Sequence, residues 1–171
     1  MKTLIISSSI SKNSRSYILC KEVYNRLKLN NIEVELVDAR SMKLNLFHTE
    51  KSESMNVLSE KIADCNNIII GMGVHCYSIN DSLKIILDNC FSGANDKFYG
   101  IVCAAGGERS YLSTMQLTQI CMNEWRMIQL PRIVYATGQD FTENKLTNKT
   151  IIERIDVFSE EFISIGRKLI S

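Results

Sequence analysis

Thr3-Leu4-Ile5-Ile6 runs without a polar break into Ser7-Ser8-Ser9-Ile10-Ser11-Lys12-Asn13-Ser14-Arg15-Ser16, and from Tyr17-Ile18-Leu19 to Leu29 the apolar residues recur at helical spacing. An apolar run, a hydroxyl-rich turn and an amphipathic segment predict a strand, a loop and a helix. Free backbone N–H groups and the positive end of the helix dipole converge at such a junction, which suits a phosphate. The serine hydroxyls add donors, and Lys12 and Arg15 add positive charge. Ser and Asn are also ordinary helix caps. Alone, the loop therefore carries two readings, a cap or a phosphate cradle.

The same beat repeats along the chain. Ile32-Glu33-Val34-Glu35-Leu36-Val37 alternates strictly and reads as a half-buried strand at or near a sheet edge. Residues 38–51 lack a period and form a loop of the length often used as a lid or interface. A helical face over 55–63 precedes Ile68-Ile69-Ile70-Gly71-Met72-Gly73-Val74, a continuous run that predicts a strand buried on both faces. A helix opens at Ser82, with its apolar stripe on Leu83, Ile86, Leu87 and Cys90, and ends near Ser92-Gly93. A fourth strand over 98–105 ends at Gly106-Gly107, a long helix over 110–129 is closed by Pro131, a fifth strand covers 132–137, and a helix over 147–170 follows. Five strands alternating with five helices predict one α/β domain over 1–171, a parallel sheet with right-handed crossovers and helices on both faces. Ligands of such sheets bind beyond the carboxyl ends of the strands, which here are the loops after strands one, three and four.

Composition narrows the class. The 171 residues are 45% hydrophobic and 23% charged, enough for a full core without cross-links. A net charge of +1, with no basic run, gives no field for nucleic acid. No segment approaches the apolar length of a membrane span, and the opening residues do not read as a secretory leader. Cys20, Cys65, Cys76, Cys90, Cys103 and Cys121 have no paired spacing and sit in apolar or helical surroundings. They read as reduced thiols of a cytoplasmic protein.

Two further loops carry the chemistry. Gly71-Met72-Gly73-Val74-His75-Cys76-Tyr77-Ser78-Ile79-Asn80 offers close backbone approach at two glycines, amides for the polar edge of a flat heterocycle, and His75 and Tyr77 to stack on or flank it. The plainer reading is a turn capped at Asn80 or Asp81. The adjacent His75-Cys76 pair lacks metal-ligand spacing, and Cys76 has no identifiable base, so no metal and no thiol nucleophile are expected. Ala104-Ala105-Gly106-Gly107-Glu108-Arg109-Ser110 lets main chain approach a ligand, with Arg109 placed for a phosphate or a ring carbonyl. The chain has no GxGxxG after its first strand, no GKS or GKT ending and no GxSxG, which excludes a dinucleotide turn, a P-loop and a nucleophile elbow.

The three loops together resemble the NADPH-dependent FMN reductase family of flavodoxin-like proteins. Ser8-Ser9-Ile10-Ser11-Lys12-Asn13-Ser14 resembles the family's GS-x-R-x-x-S loop, Gly73 to Lys84 with Asp88 resembles its second block, and Gly106-Gly107 resembles the close of its third. Ser8 stands where the family has Gly, and Ser11 where it has Arg, which removes a phosphate contact that Arg15 or Lys12 can replace. His75 falls where the family often has Tyr, and Gly73 where it often has Pro. The resemblance implies a three-layer flavodoxin-like sandwich of strand order 2-1-3-4-5. It also implies FMN, with its phosphate on Ser9, Ser11, Ser14, Arg15 and Ser16 and its ring between Val74, His75, Cys76, Tyr77, Ser78, Ile79 and Asn80 on one side and Ala105, Gly106, Gly107 and Arg109 on the other. NADPH or NADH is then the donor and a flavin, quinone or azo dye the acceptor, at one face, in a homodimer or homotetramer. The flavin carries the chemistry, so no catalytic side chain is expected. An electron carrier of the flavodoxin type, usually strongly acidic, and a flavin-free interaction module are the alternatives.

Overall fold

The opening apolar run forms an interior strand of a sheet. The computed structural model describes residues 1–170. Strand β1 (Lys2–Ser7) leads into helix α1 (Arg15–Leu29), and β2 (Glu33–Asp38) into α2 (Glu53–Asp64). Then come β3 (Asn67–His75), a short return strand β4 (Ser78–Ile79), α3 (Asp81–Cys90), β5 (Phe98–Ala104) and α4 (Ser113–Trp125). The chain closes through β6 (Ile128–Gln129), β7 (Val134–Ala136), β8 (Phe141–Thr142), β9 (Lys145–Leu146) and α5 (Lys149–Leu169).

The order across the sheet is β2-β1-β3-β5, all parallel, with β6 and β7 both pairing with β5. Phe98 and Tyr99 face Ile128 and Gln129, and Val102 to Ala104 face Val134 to Ala136, so β6 and β7 are two pieces of one fifth strand. The expected flavodoxin-like architecture and order therefore stand, with the last strand interrupted. The expected helix over 110–129 is shorter, because Arg126 turns left-handed (φ 51°) and caps α4 before the chain reaches Pro131. The proline instead sits in the break of the edge strand, where no ladder amide is needed.

Both faces of the sheet are covered, as the apolar runs require. Leu4, Ile6, Ile68, Ile70 and Ile101 pack with α2, α3 and α4 on one side, and Ile5, Ile69 and Val102 pack with α1 and α5 on the other. All four residues of the stripe Leu83, Ile86, Leu87 and Cys90 are buried, so it supplies core and no free face. Gly71 marks the tightest crossing: a Cβ there would lie far inside van der Waals contact distance of Cys20 Sγ on α1. Trp125 ends α4 inside the core, its ring centroid 5.3 Å from that of Phe91, and not beside the strand-end loops.

Candidate functional site

Two hollows share a floor at the carboxyl ends of the strands. The first, of about 330 Å³, is lined by Ser9, Ser11, Asn13, Ser14, Arg15, Ser16, Gly73, Val74, His75, Ala104, Ala105, Gly106 and Asn144. The second, of about 500 Å³, is lined by Tyr77, Gly106, Gly107, Glu108, Arg109, Ser110, Thr137 and Gln139. Gly106 lines both, so the two hollows adjoin across its backbone.

The serine loop is both cap and cradle. Ser14 is the N-cap of α1, and its Oγ accepts from Tyr17 N at 3.1 Å. The same Oγ lies 3.1 Å from Ser16 Oγ, and whichever hydroxyl accepts in that pair keeps its own hydrogen for a ligand. The N–H groups of Arg15 and Ser16 belong to the first helical turn and have no helical carbonyl to meet. The loop's base is fixed from beneath: Ser8 N and Oγ donate to Gly71 O at 3.0 and 2.7 Å.

The second expected loop is a hairpin. Val74 pairs with Ile79 and His75 with Ser78, around a two-residue turn at Cys76 (φ 50°) and Tyr77 (φ 60°). Two left-handed residues make the turn type that matches strand twist, though Gly or Asn is the usual occupant. The expectation that all of 74–80 surrounds a ligand is therefore corrected. Ile79 is buried, and Ile79 N and Ser78 Oγ both donate to Gln116 Oε1, at 3.0 and 2.6 Å. Asn80 is buried under the serine loop: its Oδ1 accepts from Gly73 N and Ser8 Oγ, and its Nδ2 donates to Ser82 Oγ. Its carboxamide is spent on joining two loops, and it takes up the Gly73 amide. Cys76 is exposed at the turn and lines neither hollow. Val74 and His75 do line the first hollow, with His75 Nδ1 3.5 Å from Asp81 Oδ1, and Tyr77 lines the second.

The glycine pair forms the shared floor. A Cβ built on Gly106 or Gly107 would meet nothing within 4 Å, so both open onto the cleft. Ala105 N donates to Ala136 O at 2.9 Å and Tyr135 Oη donates to Gly107 O at 2.7 Å, which fixes this backbone to β7. Burial pushes the Tyr135 phenol above its usual range, and the nearby Cys103 thiol acts in the same direction. It remains a donor at neutral pH.

A fourth loop, which the sequence reading did not assign, completes the cleft. Thr137 and Gln139 line the second hollow and Asn144 the first. Asp140, itself buried, accepts from Thr137 N, Thr137 Oγ1 and Asn148 Nδ2 at 2.6, 3.0 and 2.6 Å, and so ties this loop down at both ends. The one available signal was Phe141-Thr142-Glu143-Asn144-Lys145-Leu146, a short alternation about an Asn-containing turn.

The cleft suits FMN. A hydroxyl-lined bowl at a helix N-terminus fits a phosphate, and an open glycine floor beside it fits a flat ring. Among the described residues no group of three or more His, Cys, Asp and Glu side chains is placed to hold a metal, and no helix is long and apolar enough to cross a membrane.

Comparison with known proteins agrees. No sequence match was found among curated proteins. RosB, solved with bound intermediate OHC-RP (8-demethyl-8-formylriboflavin-5'-phosphate), superposes with a TM-score of 0.83 at 13% identity over 99% of this chain and 80% of its own. FerB from Paracoccus denitrificans, a flavoenzyme NAD(P)H:(acceptor) oxidoreductase, gives 0.76 at 14% identity over 98% of both chains. A flavodoxin from the domain Archaea gives 0.67 at 13% identity over 100% of both. At these identities the likeness is one of fold. The family is settled by sequence, because residues 1–142 match the model of the NADPH-dependent FMN reductases. The chain belongs to the NADPH-dependent FMN reductase family, an NAD(P)H-dependent oxidoreductase with FMN as its cofactor.

Proposed function

We propose that this enzyme takes hydride from NADPH or NADH onto FMN and hands the electrons to a small second acceptor, a flavin, a quinone or an azo dye, at the same open face. FMN, when bound, supplies hydride acceptance and electron release, so the chain needs neither acid nor nucleophile of its own. The first hollow holds the phosphate: Ser9, Ser11, Ser14 and Ser16 offer hydroxyls and Arg15 a fixed positive charge. Val74 and His75 on one side and Ala105 and Gly106 on the other flank the ring. Tyr77, Gly107, Arg109 and Thr137 form the second hollow, where a nicotinamide and then an acceptor are received in turn.

The observation that carries this reading is the adjacency of the two hollows at Gly106. A carrier needs only a cofactor slot, whereas a second open hollow beside it leaves room for a substrate. The net charge of +1 also differs from the acidic surface of flavodoxin-type carriers. We further place the protein in the cytoplasm, because all six thiols are free and five of them are buried. An exposed apolar strip, Tyr111, Leu112, Met115 and Met122, adjoins the second hollow and supports a homodimer or homotetramer.

The deciding measurement is the absorbance spectrum of the purified protein, loaded with FMN, desalted and then given NADPH or NADH without oxygen. Retained flavin that bleaches within the mixing time and is reoxidised by a quinone is the expected result. Retained flavin that neither nucleotide bleaches favours the carrier. Failure to bind FMN at all favours the flavin-free module.

A further inference from the structure

Ser11 leaves the serine loop without an arginine at that position, yet one permanent positive charge still lines the first hollow. It is Arg15, and its surroundings are unusual for a residue at the first turn of a helix. The guanidinium Cζ lies 5.8 Å from the centroid of the Phe141 ring. Its Nη1 lies against Gly138, where an added Cβ would come within 3.0 Å of it and within 3.8 Å of Gly106 O. The side chain thus reaches from α1 across to the loop after β7, close to the shared floor. Lys12, the other candidate, does not line the hollow.

The support for Arg15 comes from a built arm. Phe141 pairs with Leu146 and Thr142 with Lys145, about a two-residue turn at Glu143 (φ 47°) and Asn144 (φ 60°). Phe141 and Leu146 pack against the α1 and α5 core, and Asp140 pins the base of the arm to Thr137 and Asn148. The turn then carries Asn144 into the lining of the same hollow as Ser9 to Ser16. The arm extends past residue 142, where the family match ends.

We propose that the β8–β9 arm is the second wall of the phosphate site, with Gly138 and Phe141 as positioning residues that hold the Arg15 guanidinium over the bowl and Asn144 as a further donor to the phosphate monoester. Gly138 leaves the space Arg15 needs, Phe141 attracts and orients the cation through its ring face, and Arg15 so held supplies the charge that Ser11 does not. The inference rests on FMN being the ligand, and its chemistry makes it separable from that reading. Riboflavin carries the same ring without the phosphate, so it reports everything except this wall.

The test is a titration of flavin-stripped full-length protein with FMN and with riboflavin, for wild type and for Arg15→Gln, Gly138→Ala, Phe141→Leu and Asn144→Ala. Loss of a charged hydrogen-bonding partner should weaken FMN about tenfold or more in Arg15→Gln. Displacing the guanidinium or removing its ring should weaken FMN about threefold in Gly138→Ala and Phe141→Leu, with Asn144→Ala in the same range. Riboflavin affinity should change by less than about twofold throughout, and the FMN effect of Arg15→Gln should shrink as salt rises. Equal losses for both flavins would mean that the arm only shapes the fold, and undiminished FMN affinity in the Gly138, Phe141 and Asn144 variants would mean that it plays no part; either overturns the proposal. A wild type that binds riboflavin and FMN equally overturns it too, whereas a wild type that binds neither overturns the cofactor assignment itself.

Discussion

Asp140 has no place in the cleft, yet its carboxylate is the acceptor for two donors of Thr137 and for the Asn148 amide. Replacing Asp140 by Ala leaves those donors unmet in a buried setting and should lower stability by about 2 kcal/mol, read from the urea midpoint. FMN affinity should fall with it, because Asn144 and Gly138 hang from the same knot. Asn80 shows why such residues escape a reading of sequence. Its type and position match a ligand-binding loop, and nothing local reveals that Ser8 and Gly73 compete for its carboxamide. Ser9, Ser14, Arg15, His75 and Gly106 were legible because their role depends on where a strand ends, and strand ends follow from apolar pattern.

At the scale of elements, the long strands and helices were legible and the two hairpins were not. The parallel core declares itself through runs such as Ile68-Ile69-Ile70 and through helical stripes. The β3–β4 and β8–β9 turns use Cys76-Tyr77 and Glu143-Asn144, without the glycine that marks such turns, and their return strands are two residues long. The break in the fifth strand was hidden for the same reason: Pro131 reads as a helix stop, and only the tertiary fold shows a strand on each side of it. The Cys76-Tyr77 turn also carries a cost, since a non-glycine residue in the left-handed region is strained by about 1 kcal/mol. The double change Cys76→Asn with Tyr77→Gly should therefore stabilise the protein by about 1 kcal/mol in thermal unfolding. It should also raise KM for the nucleotide or the acceptor, because Tyr77 walls the second hollow.

For the whole molecule, the thiols set a limit on conditions. Burial pushes Cys65 up to about 11 and Cys103 and Cys121 up to about 12, and it moves Cys20 and Cys90 in the same direction. An unfolded thiol ionises at about pH 9, so above that pH the unfolded chain holds fewer protons than the folded one. Stability should be level in this respect below about pH 9 and fall progressively from there towards pH 12. Urea midpoints measured across that range check the sign, and a thiol reagent at neutral pH should find one fast site, Cys76, and all six after unfolding.

The split fifth strand has a consequence for how these molecules keep apart. A continuous strand along the rim of a sheet is a template on which another chain can add hydrogen bond by hydrogen bond. Here that rim offers only two residues, then Pro131, then three more, while the opposite rim presents Glu33 and Glu35 on β2 to solvent. The split border gives a neighbour no long register to copy, and β2, a continuous strand of six residues, offers one only beside its glutamates. Strand-by-strand addition at the split border is therefore cut short after two or three residues.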